Sequence, residues 1–214
     1  MEKSEIYARV DHTLLSPCAV WEQIEALCEE ALQFHTASVC IPPSYVERAA
    51  QRYGDRLKIC TVVGFPLGYS TTACKTAETA EAVANGADEI DMVINLGDVK
   101  SGAFSAVARE IAAVKKAAGG RTLKVIVETC YLTREEKMAL CHCVTESGAD
   151  YIKTSTGFGS SGAAMEDIEL FRQHIGPKVK IKAAGGIRTA ADMEAFLKAG
   201  CSRIGTSSAV KALG

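Results

Sequence analysis

The strongest constraint on how this chain can fold is an alternation. Short apolar, β-prone runs recur eight times, around Val10-Asp11-His12-Thr13 and then at 36–41, 58–65, 89–94, 123–129, 151–156, 179–184 and 203–206. Between them lie stretches of helical period. Val20, Ile24, Leu27, Cys28 and Ala31 make one apolar stripe. Phe104, Val107, Ala108, Ile111 and Val114 make a second, and Ala190, Met193, Phe196 and Leu197 a third. A one-sided stripe has to cover something. Strands that read as near-continuous apolar runs, alternating with such helices, point to a parallel sheet with helices outside it.

A weak internal repeat supports equal units. Asn85-Gly86-Ala87-Asp88, Ser147-Gly148-Ala149-Asp150 and Ala199-Gly200-Cys201-Ser202 each precede a candidate strand. In each, the glycine suits the left-handed residue that stops a helix. The competing architecture, an open doubly wound sheet, wants a G-x-G-x-x-G turn after the first strand. Asp11-His12-Thr13-Leu14-Leu15-Ser16-Pro17 is not that turn. The reading is therefore an α/β chain with a single (β/α)₈ barrel as one catalytic domain over residues 1–214. That length is short beside the typical barrel of about 250 residues.

Composition narrows the function classes. Hydrophobic residues make up 48% and charged residues 23%, with a net charge of −2, so nothing asks for nucleic acid or an anionic membrane. The nine cysteines form no C-x-x-C pair and sit mostly in apolar runs, as Cys40 and Cys60 do. They read as reduced, mostly buried thiols of a reducing compartment. Met1–Ile6 has no apolar signal region, and no apolar run is long enough to span a bilayer. The expectation is a cytoplasmic protein without a membrane segment.

In a barrel, chemistry sits at the C-terminal ends of strands and in the loops after them. Polar residues inside apolar strands are therefore the ones to examine. Lys153 lies inside Tyr151-Ile152-Lys153-Thr154-Ser155-Thr156-Gly157, and Lys182 inside Lys180-Ile181-Lys182-Ala183-Ala184. A strand lysine is ordinarily a paired or snorkelling ammonium. It can also be an amine nucleophile, because burial disfavours its charged form and a second ammonium nearby adds to that. Two such lysines on successive candidate strands favour function. Asp91, within Glu89-Ile90-Asp91-Met92-Val93, would pair with them and relay protons. Asp88 and Glu89 come earlier and are expected on the solvated, non-catalytic rim. Gly185-Gly186-Ile187-Arg188 and Gly205-Thr206-Ser207-Ser208 follow the seventh and eighth candidate strands, where barrels often bind phosphate on backbone N–H groups. The four histidines show no ligand spacing, and no H-E-x-x-H motif, carboxylate cluster or nucleotide loop is visible. Metal-free, cofactor-free chemistry is expected.

These segments carry a resemblance to the deoxyribose-phosphate aldolase family that runs almost end to end. It rests on Asp11-His12-Thr13, Val39-Cys40-Ile41, Gly64-Phe65-Pro66-Leu67-Gly68, Glu89 to Asn95, Ile152 to Phe158, Lys182 to Arg188, and Gly205 to Ser208. The resemblance implies a class I aldolase that reversibly cleaves 2-deoxy-D-ribose 5-phosphate to acetaldehyde and D-glyceraldehyde 3-phosphate, in deoxyribonucleoside breakdown. It implies that Lys153 forms the Schiff base and that Asp91 and Lys182 move protons. It also implies that Gly185, Gly186, Gly205, Ser207 and Ser208 hold phosphate, that Asp11, Thr13, Cys40 and Thr156 line the sugar pocket, and that the chain is a homodimer or higher homo-oligomer. Two departures stand out. Pro42 replaces a polar residue found in many members, which fixes φ there and removes a donor. The tail Lys211-Ala212-Leu213-Gly214 lacks the tyrosine with which some members assist proton transfer. The competing readings are a Schiff-base barrel for a sugar phosphate of other length, or a barrel that only binds a phosphorylated metabolite; the second has no need of both lysines and Asp91.

Overall fold

The computed structural model describes residues Met1–Gly214. Eight strands close into one parallel barrel in sequence order. They are β1 Val10–Thr13, β2 Ser38–Ile41, β3 Ile59–Val63, β4 Glu89–Val93, β5 Thr122–Ile126, β6 Tyr151–Lys153, β7 Lys180–Ala184 and β8 Arg203–Thr206. Ten helices accompany them: α1 Lys3–Tyr7, α2 Trp21–Phe34, α3 Val46–Tyr53, α4 Thr72–Ala84, α5 Leu96–Lys100, α6 Phe104–Ala117, α7 Arg134–Glu146, α8 Met165–His174, α9 Ala190–Lys198 and α10 Ala209–Leu213. No helix is long and apolar enough to cross a membrane. The expected (β/α)₈ barrel is the fold observed.

Local chemistry explains where the helices begin and end. Thr71, Thr133 and Thr189 accept the N–H of Cys74, Glu136 and Asp192 and so cap α4, α7 and α9. Gly86, Gly148 and Gly200 adopt φ of 100°, 73° and 113° just after α4, α7 and α9, as the repeated joint predicts. Beyond each glycine the chain turns directly into β4, β6 or β8.

The barrel has two cores of opposite character. Outward-facing strand residues such as Val39, Ile59, Ile90, Met92, Leu123, Val125, Ile152 and Ile204 are fully buried against the helices. Burying an aliphatic side chain of this size is worth about 1.5–3 kcal/mol, so this layer supplies the bulk of the stability. The inward face is ionic. Strand register makes Asp91 the partner of Lys124, and Lys153 the partner of Lys182. Yet Lys182 on β7 also reaches Asp91 on β4, which only the barrel interior allows. A small apolar group, Cys40, Cys60 and Val62, fills the β2–β3 side of that interior.

Candidate active site

Asp91 is the centre of the interior. Its Oδ2 accepts from Lys153 Nζ and Lys182 Nζ, both at 2.7 Å, and its Oδ1 from Lys124 Nζ at 2.8 Å and Cys60 Sγ at 3.2 Å. Burial opposes ionisation of Asp91, but the Lys124, Lys153 and Lys182 ammoniums hold it well below the usual carboxylate range. Asp11 is held down in the same way: burial opposes it, while Lys182, Lys124 and Arg203 outweigh that cost. Lys182 lies between the two carboxylates, 2.5 Å from Asp11 and 2.7 Å from Asp91. Burial alone would lower its pKa, as the sequence reading anticipates for a buried lysine. The two carboxylates reverse that and raise it above the ordinary lysine value. Lys182 is thus held as an ammonium between the two carboxylates.

The interior extends further than the sequence indicated. Glu89, expected on the solvated rim, is buried and binds Lys124 at 2.6 Å and Arg203 through both carboxylate oxygens. It faces inward because it shares the strand phase of Asp91. Asp88 is half-buried and accepts the N–H of Ile59, tying β3 to the joint before β4. A carboxylate cluster therefore does exist: Asp11, Glu89 and Asp91 face the cations Lys124, Lys153, Lys182 and Arg203. It is invisible as a motif because its members come from six strands. The Cys40, Cys60 and Asp91 ligand atoms also lie within 4.8 Å of one another. With three ammoniums already on Asp91, a further cation there would be repelled. Burial pushes the Cys60 thiol well above its usual value, so it remains a neutral donor to Asp91.

Above this network opens a cavity of about 340 Å³. Lys153 is the one member of the ionic cluster that lines it. Around it stand Thr13, Thr156, Gly185, Gly186, Gly205, Ser207 and Ser208, all singled out from the sequence, with Arg188 on the rim. Asp11 and Cys40 do not reach the cavity wall. They are buried beneath it, Asp11 bound to Lys182, Ser38 and Arg203. Gly205 also backs Lys182: a Cβ there would stand 3.1 Å from Lys182 Cε. Gly185 and Gly186 have φ of 88° and 75°, and the N–H groups of Gly185, Gly186 and Ser207 meet no acceptor in the protein. Thr206 Oγ1 joins the two glycine loops by donating to Ile187 O at 2.7 Å and accepting from Ser208 N at 3.0 Å. The result is a concave set of free donors about a positive rim, a geometry suited to an oxyanion.

Pro42 sits away from these loops, at the start of a short 3₁₀ turn, Pro43–Tyr45, with φ of −60°, a value proline favours. It lines a second cavity of about 320 Å³ beside the first, the two sharing Leu15, Ser16 and Phe158. Phe158 packs edge-on to Phe65 with ring centroids 5.3 Å apart, and the pair forms part of the wall between the cavities.

Lys124, Arg203 and Cys60 are interior residues that the sequence reading did not single out, and Glu89 is one that it placed on the rim. For Lys124 a signal was present: Thr122-Leu123-Lys124-Val125-Ile126 holds a lysine in an apolar strand just as the Lys153 segment does.

Known proteins resemble this chain over nearly its whole length. Residues 6–209 match the family described as DeoC/LacD family aldolase. The chain is 59% identical over 210 residues to a deoxyribose-phosphate aldolase of Clostridium botulinum (strain Alaska E43 / Type E3), covering 98% of this chain and 95% of that one. It is 53% identical over 208 residues to the deoxyribose-phosphate aldolase of Clostridioides difficile (strain 630), covering 97% and 95%. The tetrameric deoxyribose phosphate aldolase structure from Aeropyrum pernix superposes with a TM-score of 0.92 at 33% identity, over 99% of this chain and 91% of that one.

Proposed function

This chain belongs to the DeoC/LacD family of aldolases, and on that premise we propose that it reversibly cleaves 2-deoxy-D-ribose 5-phosphate to acetaldehyde and D-glyceraldehyde 3-phosphate through a Schiff base on Lys153. The observation that carries the reading is the position of Lys153. Its amine is on the floor of the cavity, 2.7 Å from a carboxylate that also holds the protonated Lys182.

The chemistry follows from that arrangement. The neutral Lys153 amine adds to the C1 aldehyde, and loss of water gives an iminium. The 3-hydroxyl gives up its proton as the C2–C3 bond breaks, and the bond's electron pair flows into the iminium to leave an enamine. Release of a two-carbon fragment requires that bond. Proton return to C2 and hydrolysis of the imine free acetaldehyde and the lysine. Asp91 accepts protons, and Lys182 returns them. The interior supports this cycle electrostatically. Its three carboxylates, Asp11, Glu89 and Asp91, balance Lys124, Lys182 and Arg203, so the interior is neutral when the Lys153 amine is. The iminium supplies the electron sink, so no cofactor is called for. Gly185, Gly186, Gly205, Ser207 and Ser208 bind the phosphate, with Arg188 supplying charge at the rim. Thr13 and Thr156 face the sugar, while Asp11 and Cys40 act from beneath, through Lys182 and Cys60.

The reading extends to the whole chain. Residues 1–214 act as one catalytic barrel domain in deoxyribonucleoside breakdown, in the cytoplasm, as a homodimer or higher oligomer. Six of the nine cysteines are buried and all nine are free, which suits a reducing compartment. The relative from Aeropyrum pernix is described as tetrameric.

Borohydride reduction in the presence of deoxyribose 5-phosphate, followed by peptide mass mapping, tests the mechanism. The expected result is a stable adduct on the peptide bearing Lys153. An adduct on Lys182 would exchange the roles of the two lysines. An active chain with no adduct at all would remove the Schiff base.

A further inference from the structure

Just beyond β5 the ladder slips by one residue. Val127 N bonds Lys153 O and Thr129 N bonds Thr154 O, both at 3.0 Å, whereas a regular parallel ladder would carry Thr129 N on to Ser155 O. The extra residue is Glu128, in the left-handed region at φ 54° and ψ 66°. Only one other non-glycine residue has positive φ, His35, which is exposed and ends a helix, an ordinary use of that conformation. Glu128 is neither exposed nor at a helix stop. Bulges and left-handed side chains of this kind collect at functional sites, where they re-aim a group.

The group re-aimed here is a carboxylate, and its environment is unlike that of any other buried acid in the chain. Asp11, Glu89, Asp91, Glu110 and Asp167 are buried and each is paired with a cation. Glu128, 3% exposed, has no cation. All its partners come from Thr156. Thr156 N approaches both carboxylate oxygens, at 3.2 and 3.3 Å, and Thr156 Oγ1 donates to Oε2. The loop then closes over the carboxylate, since a Cβ on Gly159 would lie 3.2 Å from Glu128 Oε1. A buried carboxylate without a counter-charge costs stability, as does left-handed backbone. The arrangement therefore points to a use other than holding the fold together.

That use can be read from Thr156, a residue of the cavity wall beside Lys153. A hydroxyl has one proton and two lone pairs. Its proton is committed to Glu128, and Phe158 N donates to one lone pair at 3.0 Å. What remains for the cavity is a single lone pair. We propose that Glu128 is a positioning residue of the aldolase site: it turns the Thr156 hydroxyl into an obligate acceptor for a sugar hydroxyl, and it anchors the 156–159 loop over Lys153. The proposal rests on the aldolase reading, in which Thr156 faces the sugar.

The test compares E128Q, E128D, T156V and T156S with the unaltered chain in two assays: cleavage of deoxyribose 5-phosphate, and lysine-dependent exchange of acetaldehyde methyl protons into D₂O. The exchange uses the Schiff base but no sugar hydroxyl. In E128Q an amide replaces an acceptor-only group, so it either opposes Thr156 N–H or reverses the hydroxyl. kcat/KM for the sugar falls by roughly 10- to 100-fold, as for loss of a hydrogen bond to a charged group, and by at least tenfold more than the exchange rate. E128D, one methylene short of both donors, behaves like E128Q. T156S restores near-normal cleavage, T156V matches E128Q, and the E128Q/T156V double variant is no worse than the weaker single. The thermal midpoint of E128Q stays level or rises, because an unpaired buried charge has been removed. Unchanged cleavage in E128Q overturns the inference alone. So does a parallel fall of cleavage and exchange with a lower midpoint, which would make Glu128 structural. An unaltered chain that neither cleaves the sugar nor exchanges acetaldehyde overturns the aldolase reading, and this inference with it.

Discussion

Asp91 and Lys153 touch, yet removing either has opposite consequences for the fold. Asp91 receives three ammonium groups and one thiol in a space with no water-facing surface. Replacing it by Asn leaves those ammoniums buried with their common counter-charge gone. Breaking a buried ionic cluster in this way costs about 3–5 kcal/mol, so Asp91→Asn should shift the urea midpoint sharply downward. It should also lose at least about 100-fold in kcat, the usual contribution of a positioned proton-transfer group. Lys153 is the fourth cation set against three carboxylates, and the only one open to the cavity. Lys153→Met removes the surplus charge and fills its space with a chain of similar length. That variant should be at least as stable in urea as the unaltered chain, while forming no borohydride adduct and cleaving no sugar. A Lys153→Met chain destabilised as much as Asp91→Asn would mean that its ammonium is structural, with its charge required by Asp91.

At the scale of the elements, β7 and its following loop give the sharpest contrast. Gly185 and Gly186 both have positive φ, so either alanine carries a backbone cost of about 1–3 kcal/mol. They differ in space. A Cβ on Gly186 meets nothing, whereas one on Gly185 would press 3.0 Å from Gly162 Cα and 3.3 Å from Ser155 Cβ. Gly185→Ala should therefore displace the loop that offers its N–H groups to the oxyanion, and weaken competitive inhibition by inorganic phosphate several-fold more than Gly186→Ala does. Equal inhibition constants would detach Gly185 from phosphate binding. The same elements show what the sequence could and could not convey. Helix stops at Gly86, Gly148 and Gly200 were legible because only glycine takes that backbone cheaply, and the eight strands because their apolar runs break the helical period. Lys153, Lys182 and Asp91 stood out because charges are rare within such runs. Glu89 was misplaced because both faces of a barrel strand are buried, so hydrophobic pattern does not tell the inward face from the outward one; its ion pair with Lys124, on the face it shares with Asp91, settles it. Glu128 left no trace because a one-residue slip in a ladder depends on how two strands meet, which no local pattern encodes.

For the molecule as a whole, the two cores set opposite limits on pH. The ionic interior depends on Asp11 and Asp91, whose folded pKa values lie below the usual carboxylate range. A depressed carboxylate contributes stability that is present above its unfolded value, about 3.9, and is lost as pH falls through that region. The apolar shell gives the alkaline limit. Burial pushes the thiols of Cys28, Cys141 and Cys201 up to about 12, and burial together with the Glu29 hydrogen bond takes the Tyr53 phenol to about 12. Lys182 is raised as well. A group whose folded pKa is raised contributes stability that is intact below its unfolded value and disappears as pH climbs toward the folded one. For the thiols that window opens near about pH 8.5, and within it the native state holds protons the unfolded state has released. Each such group tilts stability by about 1.4 kcal/mol per pH unit, so three thiols amount to about 4. A domain of ordinary stability, about 5–15 kcal/mol, should then unfold between about pH 10 and 12. Urea midpoints measured from pH 3 to 11 should be level from about pH 5 to 8 and fall on both sides. Cys141→Ala leaves a cavity and lowers the plateau, but it should make the alkaline limb shallower by one proton's worth. An alkaline limb of unchanged slope in that variant would place the lost protons on other groups and detach the buried thiols from the alkaline limit.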